Sequence, residues 1–285
     1  MVSFLFINQS FAQSNEGSLN GNFQIGGQYY VEDDANEAQV PEQLIGFNSF
    51  ANIIYTKGKF TSGIRFESYE PSLLGYPASP LTPYEGSGIG YRYATYNDDD
   101  ISFTVGNFYE QFGSGLIYRT YEERNLGVDN AMDGVRVVYR PTRGVQLKGV
   151  YGKQRLGFTN GFTKGPGIVR GFDSEFQLND ILDSIYQSKT RVTLGGSFVS
   201  KFQSDLDADL ILPQNVGSFA GRMNINRGLV NFYTEYAYKM ADPSDNNGFI
   251  YKDGQAFLMN TTISKRGLGI TLGAQYVDNM SFRSD

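Results

Sequence analysis

Residues 19–31 read LNGNFQIGGQYYV, with Leu19, Gly21, Phe23, Ile25, Gly27, Tyr29 and Val31 apolar or small and Asn20, Asn22, Gln24 and Gln28 standing between them. Side chains alternate from face to face along a strand, so this period of two builds one apolar and one polar face. The alternation runs about twice as long as the ~5–6 residues usual for a strand of a soluble sheet.

The pattern returns along the whole chain. Ile45, Phe47, Ala51, Ile53 and Tyr55 continue it, and Phe60, Ile64 and Phe66 stand against Thr61, Arg65 and Glu67. Ile89, Tyr91 and Tyr93 flank Arg92, Val135, Val137 and Tyr139 flank Arg136, and Val145, Leu147 and Tyr151 alternate with Gln146 and Lys148. Further copies lie at 101–105, 165–176, 192–198, 219–225 (with Arg222), 230–238 (with Glu235), 257–259 and 268–276. Thirteen strands result, and their connections alternate in length. Tight turns at 57–59, 97–100, 141–144, 226–228 and 265–267 separate long loops at 32–43, 71–87, 111–133, 201–214 and 241–254. Short turns at one end and long loops at the other are the layout of an outer-membrane barrel. The segment 178–189 breaks the alternation: it falls where a tight turn belongs, and a helical turn is expected there.

Two soluble architectures compete. A sandwich has shorter strands and rarely keeps its tight turns on one side, and a β-helix needs a fixed repeat that is missing here. Tyrosines near strand ends fit interfacial girdles. Backbone groups in hydrocarbon must all be paired, so a spanning sheet has to close, and bacterial barrels of this type close on an even strand number. The predicted fold is therefore an all-β, antiparallel, up-and-down transmembrane β-barrel of about 12–14 strands, with the odd count of thirteen taken as a sign of an incomplete barrel. Residues 1–12 are expected to be the remnant of a signal peptide, an apolar 2–7 followed by Ser10-Phe11-Ala12 as a small-x-small cleavage site. Residues 13–285 are expected to be the barrel domain, truncated at its C-terminus.

Composition narrows the chemistry. The chain has 285 residues, 34 glycines, 20 tyrosines and 22 phenylalanines, and no Cys, His or Trp. Without Cys and His, disulfides, thiolate or imidazole metal sites and the usual hydrolase bases are excluded, so the protein is expected not to be an enzyme and to carry no cofactor or metal. The net charge is −6, and residues 1–56 hold six acids and no base. An acidic chain without a basic stripe is a poor partner for nucleic acid. The expected partners are outer-membrane lipid, a small solute and envelope proteins.

The least repetitive stretch, 106–140, holds the candidate site. Glu110, Arg119, Glu122, Arg124, Asp129, Asp133, Arg136 and Arg140 sit among aromatic residues, and a loop so charged is read either as a lumen constriction or as a surface loop with weak ion pairs. Arg65, Glu67, Arg92, Lys148, Arg222 and Glu235 are predicted to form a polar network on the lumen wall. Glu122 and Glu123 are strand neighbours that face opposite ways, which argues against paired acid–base catalysis. Asp205, Asp207 and Asp209 open like a calcium loop, but Leu210 stands where that loop needs Gly and Val216 where it needs Glu.

The segments GSLNGNFQIGGQYY (17–30), GIGYRYATY (88–96), VGNFYEQFGSGLIYRTYEERNLGVDNAMDGVRV (105–137), LKGVYGKQR (147–155) and GPGIVRGFD (165–173) resemble an uncharacterised family of outer-membrane proteins from Bacteroidota. The resemblance covers most of the chain. It implies location in the outer membrane of a Gram-negative bacterium and a longer chain, and it implies no reaction and no catalytic residue. The function expected is a non-enzymatic channel or solute-binding, porin-like protein. The alternative is a scaffold or accessory subunit of a cell-envelope secretion or assembly machine.

Overall fold

The computed structural model describes residues 4–6, 17–32, 35, 40–73, 76, 83–205 and 211–282. The remaining residues include Ser10 to Ala12 and most of the acidic run after Asp205, so both readings lie outside the described residues. Thirteen long strands follow one another as neighbours in a single antiparallel sheet: β1 (Ser18–Tyr29), β2 (Ile45–Lys57), β3 (Phe60–Tyr69), β4 (Tyr84–Asn97), β5 (Ile101–Phe108), β6 (Met132–Tyr139), β7 (Val145–Thr159), β8 (Phe162–Gln177), β9 (Thr190–Phe202), β10 (Asn215–Arg227), β11 (Val230–Lys239), β12 (Gly254–Lys265) and β13 (Leu268–Asp278). A three-residue strand, Phe4–Phe6, pairs with Phe23 to Ile25 on the outer edge of β1. The fold is the all-β, up-and-down barrel wall that the alternation predicts.

Local chemistry sets the turns. Gly58 and Gly228, at the first position of two-residue hairpin loops, carry φ of 55° and 58°, a left-handed geometry that glycine adopts without steric cost. The connection from β8 to β9 does contain a helical turn, Leu178–Ile181, followed by a 3-10 turn at Asp183–Ile185. Asn179 holds it to the sheet: its amide nitrogen donates to the Ile185 and Thr190 carbonyls at 2.9 Å, and its oxygen accepts from the Val192 N–H at 2.8 Å. A second departure was not anticipated. At the long-loop end, β7 and β8 are joined only by Asn160 (φ 52°) and Gly161, an Asn-Gly hairpin turn.

The wall is inverted relative to a water-soluble sheet. Outward Leu19, Phe23, Ile53, Ile64, Leu272 and Tyr276 are 50% to 66% exposed, whereas inward Glu67, Arg155, Asp173 and Glu235 are at most 3% exposed. A soluble sheet puts its apolar face toward the core and its charges in water, and here both choices are reversed.

Strand length decides what fills the interior. β5 and β6 are only eight residues each. Beyond their ends β4 and β7 meet directly, in a short parallel pairing of Tyr84 with Phe158 and Glu85 with Thr159. The wall thus closes over the β5–β6 hairpin, and residues 109–131, which join the two short strands, are turned into the barrel. Their tip packs in an interior cluster with Val150, Val169, Val199, Ala237 and Ala256, contributed by β7, β8, β9, β11 and β12.

Candidate functional site

The inward segment is ordered by its own backbone. The Phe112 N–H donates to the Tyr118 carbonyl at 3.1 Å and the Thr120 N–H to the Glu110 carbonyl at 2.9 Å, which makes a small loop with Phe112 fully buried. Gly113 has φ 53°, and a Cβ there would lie 2.6 Å from a Glu235 carboxylate oxygen. Only glycine lets this tip approach the β11 wall so closely. The next backbone N–H, of Ser114, donates to Glu235 at 2.8 Å, and the Tyr233 hydroxyl donates to the same carboxylate oxygen. Further on, Glu122–Glu123 and Val128–Asp129 form a two-stranded ribbon turned by a 3-10 turn, Arg124–Leu126.

That ribbon is locked to the wall by a buried ionic cluster. Arg65 on β3 reaches Glu67 at 2.6 Å, Asp129 at 2.7 Å and Glu122 at 3.0 Å. Arg155 on β7, its side chain wholly buried, reaches Asp129 at 2.6 Å and Glu67 at 2.7 Å. The Tyr69 and Tyr109 hydroxyls each donate at 2.9 Å, to Glu67 and Asp129 respectively. Arg124 closes the set, pairing with Glu122 at 2.8 Å and donating to Gln24 on β1 at 2.7 Å. Three guanidinium groups face three carboxylates, so the cluster is neutral. Removing one partner of such a pair leaves an uncompensated buried charge, at a cost of about 3–5 kcal/mol. A cage of aromatic rings from Phe50, Tyr69, Tyr84 and Phe158 stands beside it.

Two smaller ion pairs continue the network. Glu110 holds Arg136 at 2.6 Å and Lys148 at 2.8 Å. Burial alone would raise the Glu110 carboxyl, but Lys148 and Arg136 outweigh it and hold the group below the usual carboxylate range. Burial and the neighbouring Asp129 carboxylate push the Tyr109 hydroxyl up, so it stays a neutral donor. On the far wall Arg222 grips Asp173 through both terminal nitrogens, at 2.7 and 3.1 Å, and the Ser197 hydroxyl donates to the same carboxylate at 2.6 Å.

The structure therefore gathers Arg65, Glu67, Glu122, Arg124 and Asp129 into one cluster, and Glu110, Arg136 and Lys148 into a second. Arg222 and Glu235 lie on the inward face of β10 and β11. Arg119 is exposed where it bridges to Gln111 at the base of the small loop, its guanidinium 4.3 Å from the Tyr121 ring centre. It lines a cavity of about 170 Å³ with Tyr118, Met132, Gln154, Val169 and Phe282.

Three predicted residues lie elsewhere. Arg140 follows β6 at the short-turn rim, where it donates to Gln146 at 3.1 Å, so it is no part of a constriction. Arg92 stands opposite Ile64, which is 52% exposed on the outer face, and so leaves the lumen set. The cause is a bulge at Gly90: the ladder passes from Arg65–Tyr91 to Phe66–Ile89 with a residue left over, which turns Tyr91 inward and Arg92 outward. Asp133 follows the fully buried inward Met132 and faces out, pairing with Lys164 at 2.5 Å. The residues missed from sequence are Arg155, Asp173 and Tyr109. Irregular register around Arg155 explains the first, because a strict period of two assigns it to the outer face with Val145, Leu147 and Tyr151.

A family model described as a family of unknown function, DUF6029, matches residues 1–285. The chain belongs to that family. No curated protein matches it. Solved structures with some likeness include OpdK from Pseudomonas aeruginosa, crystallised with vanillate (12% identity, TM-score 0.38, covering 87% of this chain and 76% of that one). Another is a BenF-like porin from Pseudomonas fluorescens Pf-5 (11% identity, TM-score 0.40, 92% and 81%).

Proposed function

We propose that this chain is an outer-membrane barrel whose lumen is narrowed by residues 109–131, a non-enzymatic channel for small polar solutes. The inverted wall carries the reading. An apolar exterior around buried ion pairs is stable where hydrocarbon, not water, lies outside. The tight turns then face the periplasm and the long loops the exterior. The charges of the Arg65–Arg155 cluster are consumed in latching the inward segment, which suits a fixed constriction: Arg119 and the polar atoms beside it are left to meet the solute.

The test is ionic current through the purified protein in planar bilayers. A small, ohmic, steady conductance is expected. A protein that inserts, protects its strands from protease and carries no current would sink the channel reading. The scaffold reading has no comparable observation behind it.

A further inference from the structure

Among the described residues the outer wall carries a charged patch around Asp133. Asp133 faces outward, 3.8 Å from Arg92 and 2.5 Å from Lys164, and Lys153 stands opposite it in the β6–β7 ladder and shares its face. Arg170 is exposed on β8, opposite Tyr151, which is itself 54% exposed on the outer face. Lys153 and Arg170 have no ion-pair partner among the described residues. Four cations and one carboxylate thus share this stretch of the outer wall. Outward Glu85 is higher on the wall, at the β4–β7 closure.

Below this patch the same strands are apolar down to the short-turn rim, through Val105 and Phe103 on β5 and Val135, Val137 and Tyr139 on β6. Asp133 is about 20 Å along β6 from Tyr139 at ~3.4 Å per residue, or roughly 15 Å of height at a tilt of about 40°. The apolar band of such a barrel is about 25 Å tall. The patch therefore lies beyond mid-height, and long Lys and Arg stems reach from there toward the headgroups. Beside Arg92, on its short-turn side, a groove of about 490 Å³ is lined by Ile53, Tyr55, Ile64 and Val105.

We infer that the outer wall of β2–β8 is a binding site for an anionic phospholipid, its phosphate held by Arg92, Lys153, Lys164 and Arg170 and one acyl chain lying in the Ile53–Val105 groove. Unpaired cations on a lipid-facing wall are costly, and a lipid phosphate supplies the missing countercharge at the depth where the side chains end. The groove supplies the matching apolar surface directly beneath. The inference rests on the membrane reading above, and it concerns the opposite face of the wall from the lumen.

Lipid selectivity tests it. The protein is reconstituted in phosphatidylcholine vesicles with a trace of spin-labelled phosphatidylglycerol or spin-labelled phosphatidylcholine, and the motionally restricted fraction of each label is measured by electron spin resonance. Phosphatidylglycerol should be preferred severalfold. The Lys153→Gln, Arg170→Gln double variant should bring the ratio close to one, and Asp133→Asn, which removes the competing carboxylate, should raise it. Equal restriction of both labels by the unmodified protein, or a preference untouched by the double variant, would overturn the site. A protein that restricts neither label has not entered the bilayer, and that outcome would instead overturn the membrane reading.

Discussion

The two halves of the lumen wall are built on different principles. Around β3–β8 the interior is packed with ion pairs and rings that hold residues 109–131, and Glu67 and Arg155 are sealed from solvent. On β10 and β11 toward the short-turn end, Asn224, Asn226 and Asn231 line the interior and hydrogen-bond to one another, with Asn231 donating to Asn224 at 2.9 Å. The first half is a charged lock, and the second is neutral only toward the short-turn end, below the Arg222–Asp173 pair. Ion pairs around β3–β7 thus grip the inward segment, whereas the short-turn end of β10 and β11 is lined by amides that carry no charge.

That contrast can be broken at several points. The largest effect is expected for Arg155→Ala, which strands Glu67 and Asp129 in the lock: about 3–5 kcal/mol of stability is lost, read by thermal or denaturant unfolding in detergent. The same variant should convert a steady current into a larger, noisier one as the ribbon comes loose. Next is Phe112→Leu at the segment's tip, for which about 1 kcal/mol is expected because the ring is fully buried but the replacement stays apolar. On the other side of the comparison, Asn226→Ser should shift stability by no more than about 0.5 kcal/mol, since the site is exposed and neutral.

Acid gives a graded test of the same contrast. Because the folded Glu110 carboxyl sits below its usual value of 4.5, its stabilising contribution is fully present above that pH and disappears as the pH falls through the lower folded value. Stability should therefore fall on acidification below about 4.5, and Glu110→Gln should flatten that part of the profile. An unchanged acid profile in the variant would remove Glu110 from the lock.

Much of this was legible in the sequence. Thirteen alternating stretches became thirteen strands, and Arg65, Glu67, Arg222 and Glu235 faced inward as their parity required. Parity failed where the backbone departs from ideal pleating. The bulge at Gly90 reversed Arg92 and Tyr91, and the irregular β7–β8 ladder hid Arg155, the best-buried cation of the lock. Both departures occur where β4 and β7 approach each other to close over β5 and β6. No residue pattern signals that closure, because it follows from the relative lengths of four strands. The Asn160-Gly161 turn was available as a hairpin signal and would have shown that β7 and β8 run on past their neighbours.

If the barrel conducts ions, residues 109–131 stand in the path of the current. Because the chain has no cysteine, Arg119→Cys introduces a single reactive thiol at an exposed position of the segment. Current through Arg119→Cys channels should step down when a charged methanethiosulfonate reagent is added, and current through the unmodified protein should not change. Complete modification of the thiol with no change in current would contradict the claim.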